Sequence, residues 1–581
     1  MYGALVTGRS EIRVLDLHPG PQDDTIRCSL RQVSLDSSPQ YKALSYTWGN
    51  VAQTRPILVD GQRFEATVNL ASALSHLRSQ TDVLTIWVDA VCINQQNNSE
   101  VNDQVRRMKS IYNSAERVIV WLGEEQPEDA AAIALIKEIF DNIDSDEWFA
   151  AVLQDSATPA KIMAVSSILA RDYWSRAWVV QETMFNKDIT VHCGALTIPW
   201  RSLDFSGIIE KRGEDLAKLD VDSASVFRNG GAGTLGDPGI GGITSPSDLL
   251  RTLIWNRQLY ATDPRDKVYA FTGLLDACCP QFPIDYSRSV EEVYIDVVKY
   301  LLIETRRLDV IGVTQSMSKP PKLPSWAPDW RHQPDSTSVN LTRLRAMDPV
   351  FCASDLRPAR YMFSDNDRTL TVAGFVVGVV EHLGAACLTE SLDETSANKY
   401  AALAAFQDWY KLVARCKGTG VQAIVDMCRV TSCDYVCSSN ASGLVNRSPL
   451  TNAEEEVTFF LAVAVEQASA EAFPGELLRF NKRQLGLNEG NILNPHSSET
   501  GATFMQDRRF FISSGGHMGL APQHARIGDS VCVLLGCSQP IILRDHKDYH
   551  TVIGESFIHG LMYGEWLSSG TAGQQRMFDL R

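Results

Sequence analysis

The amino-acid sequence predicts an α/β protein in which a mainly parallel N-terminal sheet is followed by helical and then α+β regions. Three observations lead there. Strand-like and helix-like patterns alternate from residue 41 to about residue 194, the order that builds a parallel sheet through helical crossovers. The run VLTIWVDAVCI (83–93) is almost continuously apolar, as strands covered on both faces are. At 581 residues the chain also exceeds the ~250–300 residues at which a single core stops growing, so two or three domains are expected.

Taken in order, YKALSYTWG (41–49) is aromatic and apolar enough for a strand that stops at a Gly-Asn turn. Asn69 can cap a helix whose Leu70, Leu74 and Leu77 recur with helical spacing. After the 83–93 strand, Asn98 or Ser99 can cap a helix with Val101, Val105, Met108 and Tyr112 on one stripe. RVIVWL (117–122) is another short buried strand, stopped by Gly123. A mainly helical stretch (128–170) precedes RAWVVQETMFN and the strand-like ITVHCG. Residues 223–247 are rich in Gly and Ser without apolar periodicity and read as a linker. Ser289 and Glu292 form a capping box ahead of a helix through Leu302, and TVAGFVVGVV (371–380) reads as a buried strand. The end of the chain holds short β-rich runs (RFFIS, DSVCVLL, PIILR, HTVIGESFI) between Gly, Pro and Asp turns.

Composition narrows the function classes. A formal charge of −16 argues against a protein built to coat nucleic-acid phosphates. No stretch approaches the ~20 apolar residues that span a bilayer. No signal-like apolar run opens the chain, and its 13 cysteines lack framework spacing, so a reducing, cytoplasmic location is expected.

Four motifs call for chemistry. Gly231, Gly233 and Gly236 have dinucleotide-loop spacing, but a polar segment precedes them and Asp-Pro-Gly follows, so a flexible loop is the better reading. Cys532, Cys537, His546 and His550 resemble a zinc site with too short a central gap; no metal is expected. In a helix, Trp178, Glu182 and Phe185 share one face, and a carboxylate among aromatics is costly to bury unpaired. Helix capping or ion pairing accounts for most such glutamates. Asp89 and Asn94 lie at the C-terminal end of a buried strand, the edge where parallel sheets bind ligands; a polar strand-to-helix turn is the plain alternative, and the two readings are compatible.

Three long blocks then name a family. YKALSYTWGN (41–50), WVDAVCINQQNNSEVNDQVRRMKSIYNSAERVIVWLG (87–123) and RDYWSRAWVVQE (171–182) resemble, in order, the signature blocks of fungal HET (heterokaryon incompatibility) domains. Later segments, including TDPRDKVYAFTGLL (262–275) and LPSWAPDW (323–330), also resemble full-length members. The resemblance implies a protein that triggers growth arrest and cell death when genetically different fungal cells fuse. It implies protein partners, either allelic or non-allelic incompatibility factors, and self-association. HET domains are in turn distantly similar to Toll/interleukin-receptor (TIR) domains, which implies a flavodoxin-like sheet. Many TIR domains carry a Trp-Cys-x-x-Glu helix whose glutamate is catalytic in those that cleave NAD+. This chain keeps Trp178 and Glu182 at that spacing, with Val179 in place of the cysteine.

On that resemblance Glu182 is the expected catalytic group. NAD+ is then a substrate and no prosthetic group is expected. From their positions in the sequence, not from the family, Trp48, Asp89, Asn94, Arg176 and Trp178 are the expected surround, Arg176 meeting the pyrophosphate and the indoles holding the nicotinamide. A non-enzymatic signalling module or recognition partner remains the alternative. The expected layout is a HET domain over 1–205 (blocks 41–50, 87–123 and 171–194), a linker and mainly helical region over 206–350, and an α+β region with a β-rich end over 351–581.

Overall fold

The computed structural model describes every residue except 7–8, 187, 204, 206–210, 213–242, 276–278, 314–322, 332–350, 389–394, 419–420, 434, 440–444, 450–504 and 571–572. The G-x-G-x-x-G segment (231–236) therefore lies outside the described residues. The chain divides into two units, Met1–Val290 and Glu291–Arg581.

The first unit is a sheet with helices. Its strands are β1 (Glu11–Leu17), β2 (Arg27–Ser34), β3 (Lys42–Tyr46), β4 (Thr54–Val59), β5 (Gln62–Thr67), β6 (Leu84–Trp87), β7 (Arg117–Trp121), β8 (Ile189–Cys193) and β9 (Leu196–Pro199). They lie in the order β5-β4-β2-β1-β6-β3-β7-β8-β9. The central pairs β6–β3, β3–β7 and β7–β8 are parallel, as is the outlying β2–β4. The pairs β1–β2, β1–β6, β4–β5 and β8–β9 are antiparallel. The sheet is thus mixed rather than mainly parallel. Tight turns account for this at the flanks: between β4 and β5, Asp60 (φ 51°) and Gly61 (φ 75°) form the two-residue, positive-φ turn that matches strand twist.

The helices begin at α1 (Val68–Leu77), α2 (Asp89–Cys92, one turn) and α3 (Asn98–Ser114). They continue with α4 (Asp129–Asp141), α5 (Asp146–Gln154), α6 (Thr158–Leu169), α7 (Ala177–Thr183), α8 (Pro246–Trp255) and α9 (Asp266–Thr272). Three local expectations shift. The 83–93 run is not one strand: the Cys92 amide donates to Val88 O at 2.7 Å, and the chain turns helical at Asp89. Helix α1 is capped by Thr67, whose hydroxyl accepts from the Leu70 amide, not by Asn69. Helix α3 is capped by Asn97, which accepts from the Ser99 and Glu100 amides.

In chain order the four central strands are β3, β6, β7 and β8, so their spatial order is 2-1-3-4. Successive connections leave β3 in opposite directions, and the C-terminal ends of β3 and β7 flank the resulting crevice. Trp87, Trp121, Tyr41 and Leu44 are fully buried around these strands, each removing roughly 1.5–3 kcal/mol of apolar surface from water.

The second unit opens with α10 (Val290–Thr305), followed by β10 (Tyr361–Phe363) and the long β11 (Leu370–Cys387). Helices α11 (Thr395–Lys417) and α12 (Val421–Ser432) and the hairpin β12 (Tyr435–Ser439)–β13 (Val445–Pro449) come next. The remaining strands are β14 (Arg508–Ser513), β15 (Met518–Pro522), β16 (Ser530–Leu534), β17 (Ile541–Asp545), β18 (His550–Glu555), β19 (Phe557–Ile558) and β20 (Arg576–Leu580). The ring β11-β16-β17-β18-β20 returns to β11 and closes a barrel, which leaves no edge within it. The far half of β11 continues into β14, β15 and β19. Cys532 and Cys537 are buried here, His546 stacks on Tyr549 and His550 packs edge-on against Phe578. Among the described residues no three His, Cys, Asp or Glu side chains gather as a metal site.

Candidate functional site

A buried polar cluster lies at the C-terminal ends of β3 and β6. Ser45 on β3 turns its hydroxyl to two partners: it donates to Glu182 Oε2 and meets the Tyr173 hydroxyl at 2.7 Å. Glu182 sits on α7 and is only 2% exposed. Arg176, the residue that starts α7, places a guanidinium nitrogen 3.5 Å from Glu182 Oε2. Asp89 begins α2, where its carboxylate accepts from its neighbour Ala90 N at 2.7 Å and from Trp48 Nε1 at 2.8 Å. The Tyr46 hydroxyl is directed at Asp89 without reaching ordinary hydrogen-bond geometry.

The charges do not balance. Two carboxylates lie in the field of one guanidinium, which is within ion-pair distance of Glu182 and acts on Asp89 through its charge. Burial raises the Glu182 pKa above the ordinary carboxylate value, against the opposing pull of Arg176 and Ser45, and the Asp89 charge raises it further. Burial also raises Asp89, again opposed by Arg176. For Arg176 burial acts downward, but Glu182 and Asp89 outweigh it and hold the guanidinium firmly charged. Tyr173 and Tyr112 are pushed well above a normal phenol by burial and by the Glu182 charge.

Beside the cluster is a cavity of about 270 Å³ lined by Trp48, Gly49, Arg55, Asn69, Ser72 and Glu124 among others. It occupies the crevice at the ends of β3 and β7, where open α/β sheets bind ligands. Trp48 is shared: its ring lines the cavity while its N–H is fixed by Asp89. Asn69 braces the crevice, donating to Thr47 O at 2.6 Å and accepting from Trp121 Nε1 at 2.9 Å.

Residues 41–182 match the family of heterokaryon incompatibility proteins (HET). The chain carries a HET domain. Residues 495–578 match the Het-6 β-barrel domain, which covers β14 to β20. Over 97% of its length the chain is 23% identical to Heterokaryon incompatibility protein 6, OR allele, of Neurospora crassa, across 95% of that protein. No solved structure matches it.

Within the HET domain, then, Glu182, Arg176, Asp89 and Trp48 come together as a group. Arg176 pairs with Glu182 and feels the Asp89 charge, while its Nη1 makes no hydrogen bond. Two other expected residues point elsewhere. The Asn94 carboxamide oxygen accepts from Gln96 N at 3.2 Å, and its own amide donates to Glu100, which pairs with the buried Arg13 at 2.6 Å. Trp178 faces Asp266, beyond the HET match, and Phe185 falls past the end of α7.

Ser45, Tyr46 and Tyr173 escaped the sequence reading. All three lie inside the recognised blocks (ALSY and RDYW), but uncharged residues there give no periodic signal that separates them from core. A second omission is the brace on α7. Tyr260 bridges Arg176, and its carbonyl accepts from Ala177 N at 2.9 Å. Helix α9 packs on α7, and Gly273 lies so close to the Gln181 amide that no Cβ would fit. Asp266 also accepts the Tyr286 hydroxyl at 2.6 Å; burial raises it to about 6.

Proposed function

We propose that this protein acts in heterokaryon incompatibility as a cytoplasmic cell-death effector whose HET domain hydrolyses NAD+ through Glu182. One observation carries the reading: two carboxylates in the field of a single arginine, beside a tryptophan-walled cavity at the sheet's switch point. The 2-1-3-4 strand order supports the TIR comparison, since doubly wound flavodoxin-like sheets share it.

In hydrolysis the nicotinamide–ribose bond breaks with its electron pair leaving on the ring nitrogen. Water adds to the ribose carbon and releases a proton. The ribose passes through an oxocarbenium-like state, which a desolvated carboxylate stabilises strongly. Arg176 and Ser45 oppose the upward push that burial gives the Glu182 pKa and so favour its ionised form. Trp48 offers a flat apolar wall for the nicotinamide. Glu182 is buried and does not itself line the cavity of about 270 Å³, so hydrolysis requires a rearrangement that opens the carboxylate to the ribose. Self-association or a partner protein would supply the opening.

A second reading rests on burial. Glu182 is almost inaccessible and bonded to Ser45, which suits a side chain that fixes α7 to β3 in a signalling module without catalysis. NAD+ measurement in cells expressing the full chain separates the two. Hydrolysis predicts NAD+ loss that Glu182→Gln abolishes; toxicity with undiminished NAD+ supports the signalling module.

A further inference from the structure

A second, larger cavity lies over another part of the sheet. Its volume is about 440 Å³, within the ~300–1,000 Å³ of small-molecule sites. Lys42 and Arg117 stand at one end, at the starts of β3 and β7, and His192 of β8 and His76 of α1 also line it. Leu77, Val83, Leu84 and Ile119 supply its apolar lining, and Asp82 lines it as well. None of these residues belongs to the Glu182 cluster.

Parallel pairing sets Lys42 directly beside Arg117. Adjacent like charges on paired strands repel, a cost the sheet would lose by changing either residue. Arg117 is offset by Asp188 at 2.8 Å, while Lys42 has no ion-pair partner among the described residues. His192 senses the same field: burial lowers its pKa first, then the Lys42 and Arg117 charges lower it further. His76 is otherwise engaged, bonding Ser72 O at 3.1 Å and facing Glu124 at 3.6 Å.

We propose that this cavity binds a small organic phosphate, its anionic head on Lys42, Arg117 and His192 and its apolar body on Leu77, Val83, Leu84 and Ile119. A doubly charged head resolves the Lys42–Arg117 repulsion and favours protonated His192. The apolar wall requires more than inorganic phosphate. The same headgroup chemistry occurs on soluble metabolites and on phosphorylated lipids, and the open side of the cavity admits either.

The test uses the full chain with phenyl phosphate as probe, read by histidine-selective NMR and titration calorimetry. Saturable binding is expected, with the His192 pKa moving up in the complex and affinity falling about tenfold in Lys42→Met, which keeps the apolar stem. Inorganic phosphate and phenol should each bind more weakly than phenyl phosphate. Binding of phenyl phosphate alone points to a soluble ligand, and added binding to phosphoinositide vesicles points to a lipid headgroup. No saturable binding, an unmoved His192, or equal affinity in a folded Lys42→Met chain overturns the proposal.

Discussion

Two buried ion pairs, one in each unit, show what an unbalanced site looks like. In the barrel unit Arg508 donates to Glu555 Oε1 at 2.9 Å and to Glu555 O at 3.0 Å, with both side chains at most 4% exposed. The guanidinium meets a carboxylate and also satisfies the backbone carbonyl of that same residue on β18. That is a structural fastening. In the HET domain one guanidinium pairs with Glu182 while a second acid, Asp89, lies in its field, and burial raises the pKa of both acids. Such a cluster costs stability, and proteins keep costly buried charge where chemistry or switching needs it.

The contrast can be broken first at the barrel. Arg508→Met should take the guanidinium away from the buried Glu555 carboxylate and lose roughly 3–5 kcal/mol in denaturant unfolding. A loss below about 1 kcal/mol would show that the pair is not a fastening. Arg176→Met in the HET domain should instead give a pH-dependent loss, small in acid, because Glu182 and Asp89 take up protons more readily than ordinary carboxylates.

The next effect belongs to Asp266, raised from 3.8 to about 6. An acid with a raised folded-state pKa favours the folded form while protonated, and that advantage drains away as pH climbs from about 4 to about 6. The total is at most about 3 kcal/mol. Asp266→Asn keeps an acceptor for Trp178 and Tyr286 and should flatten this slope in melts from pH 4 to pH 7. An unchanged slope would remove Asp266 from the brace on α7.

A smaller effect is expected at Ser45. Ser45→Ala deletes the hydroxyl that donates to Glu182, a charge-assisted bond of about 1.5–3 kcal/mol when the carboxylate is ionised. The loss should shrink as pH falls and Glu182 protonates. A pH-independent loss would mean that Ser45 matters only through packing.

Strands β3, β7 and β8 were legible because short, strongly apolar runs bounded by turns carry their own signal. Helix α3 was legible through its Val105–Met108–Tyr112 stripe. The break at Asp89 was not, since an apolar helical turn and an apolar strand look alike in a window of a few residues. The antiparallel flank β1–β2 went unread because its pairing with β6 is a long-range fact that no local pattern encodes. Half of the site was visible as named residues in the HET blocks. The rest, Ser45, Tyr46 and Tyr173, takes its meaning from contacts across 128 to 137 residues of sequence for Ser45 alone.

The central claim is that the imbalance around Glu182 serves a reaction. It is tested most directly by expressing the full chain and its Glu182→Gln form at matched, folded levels and following cellular NAD+ alongside growth. The account predicts that NAD+ falls before growth stops with the native chain and holds steady with Glu182→Gln, which should also be at least as stable at pH 7 because a raised-pKa acid has been neutralised. Growth arrest by both chains with NAD+ unchanged would contradict it.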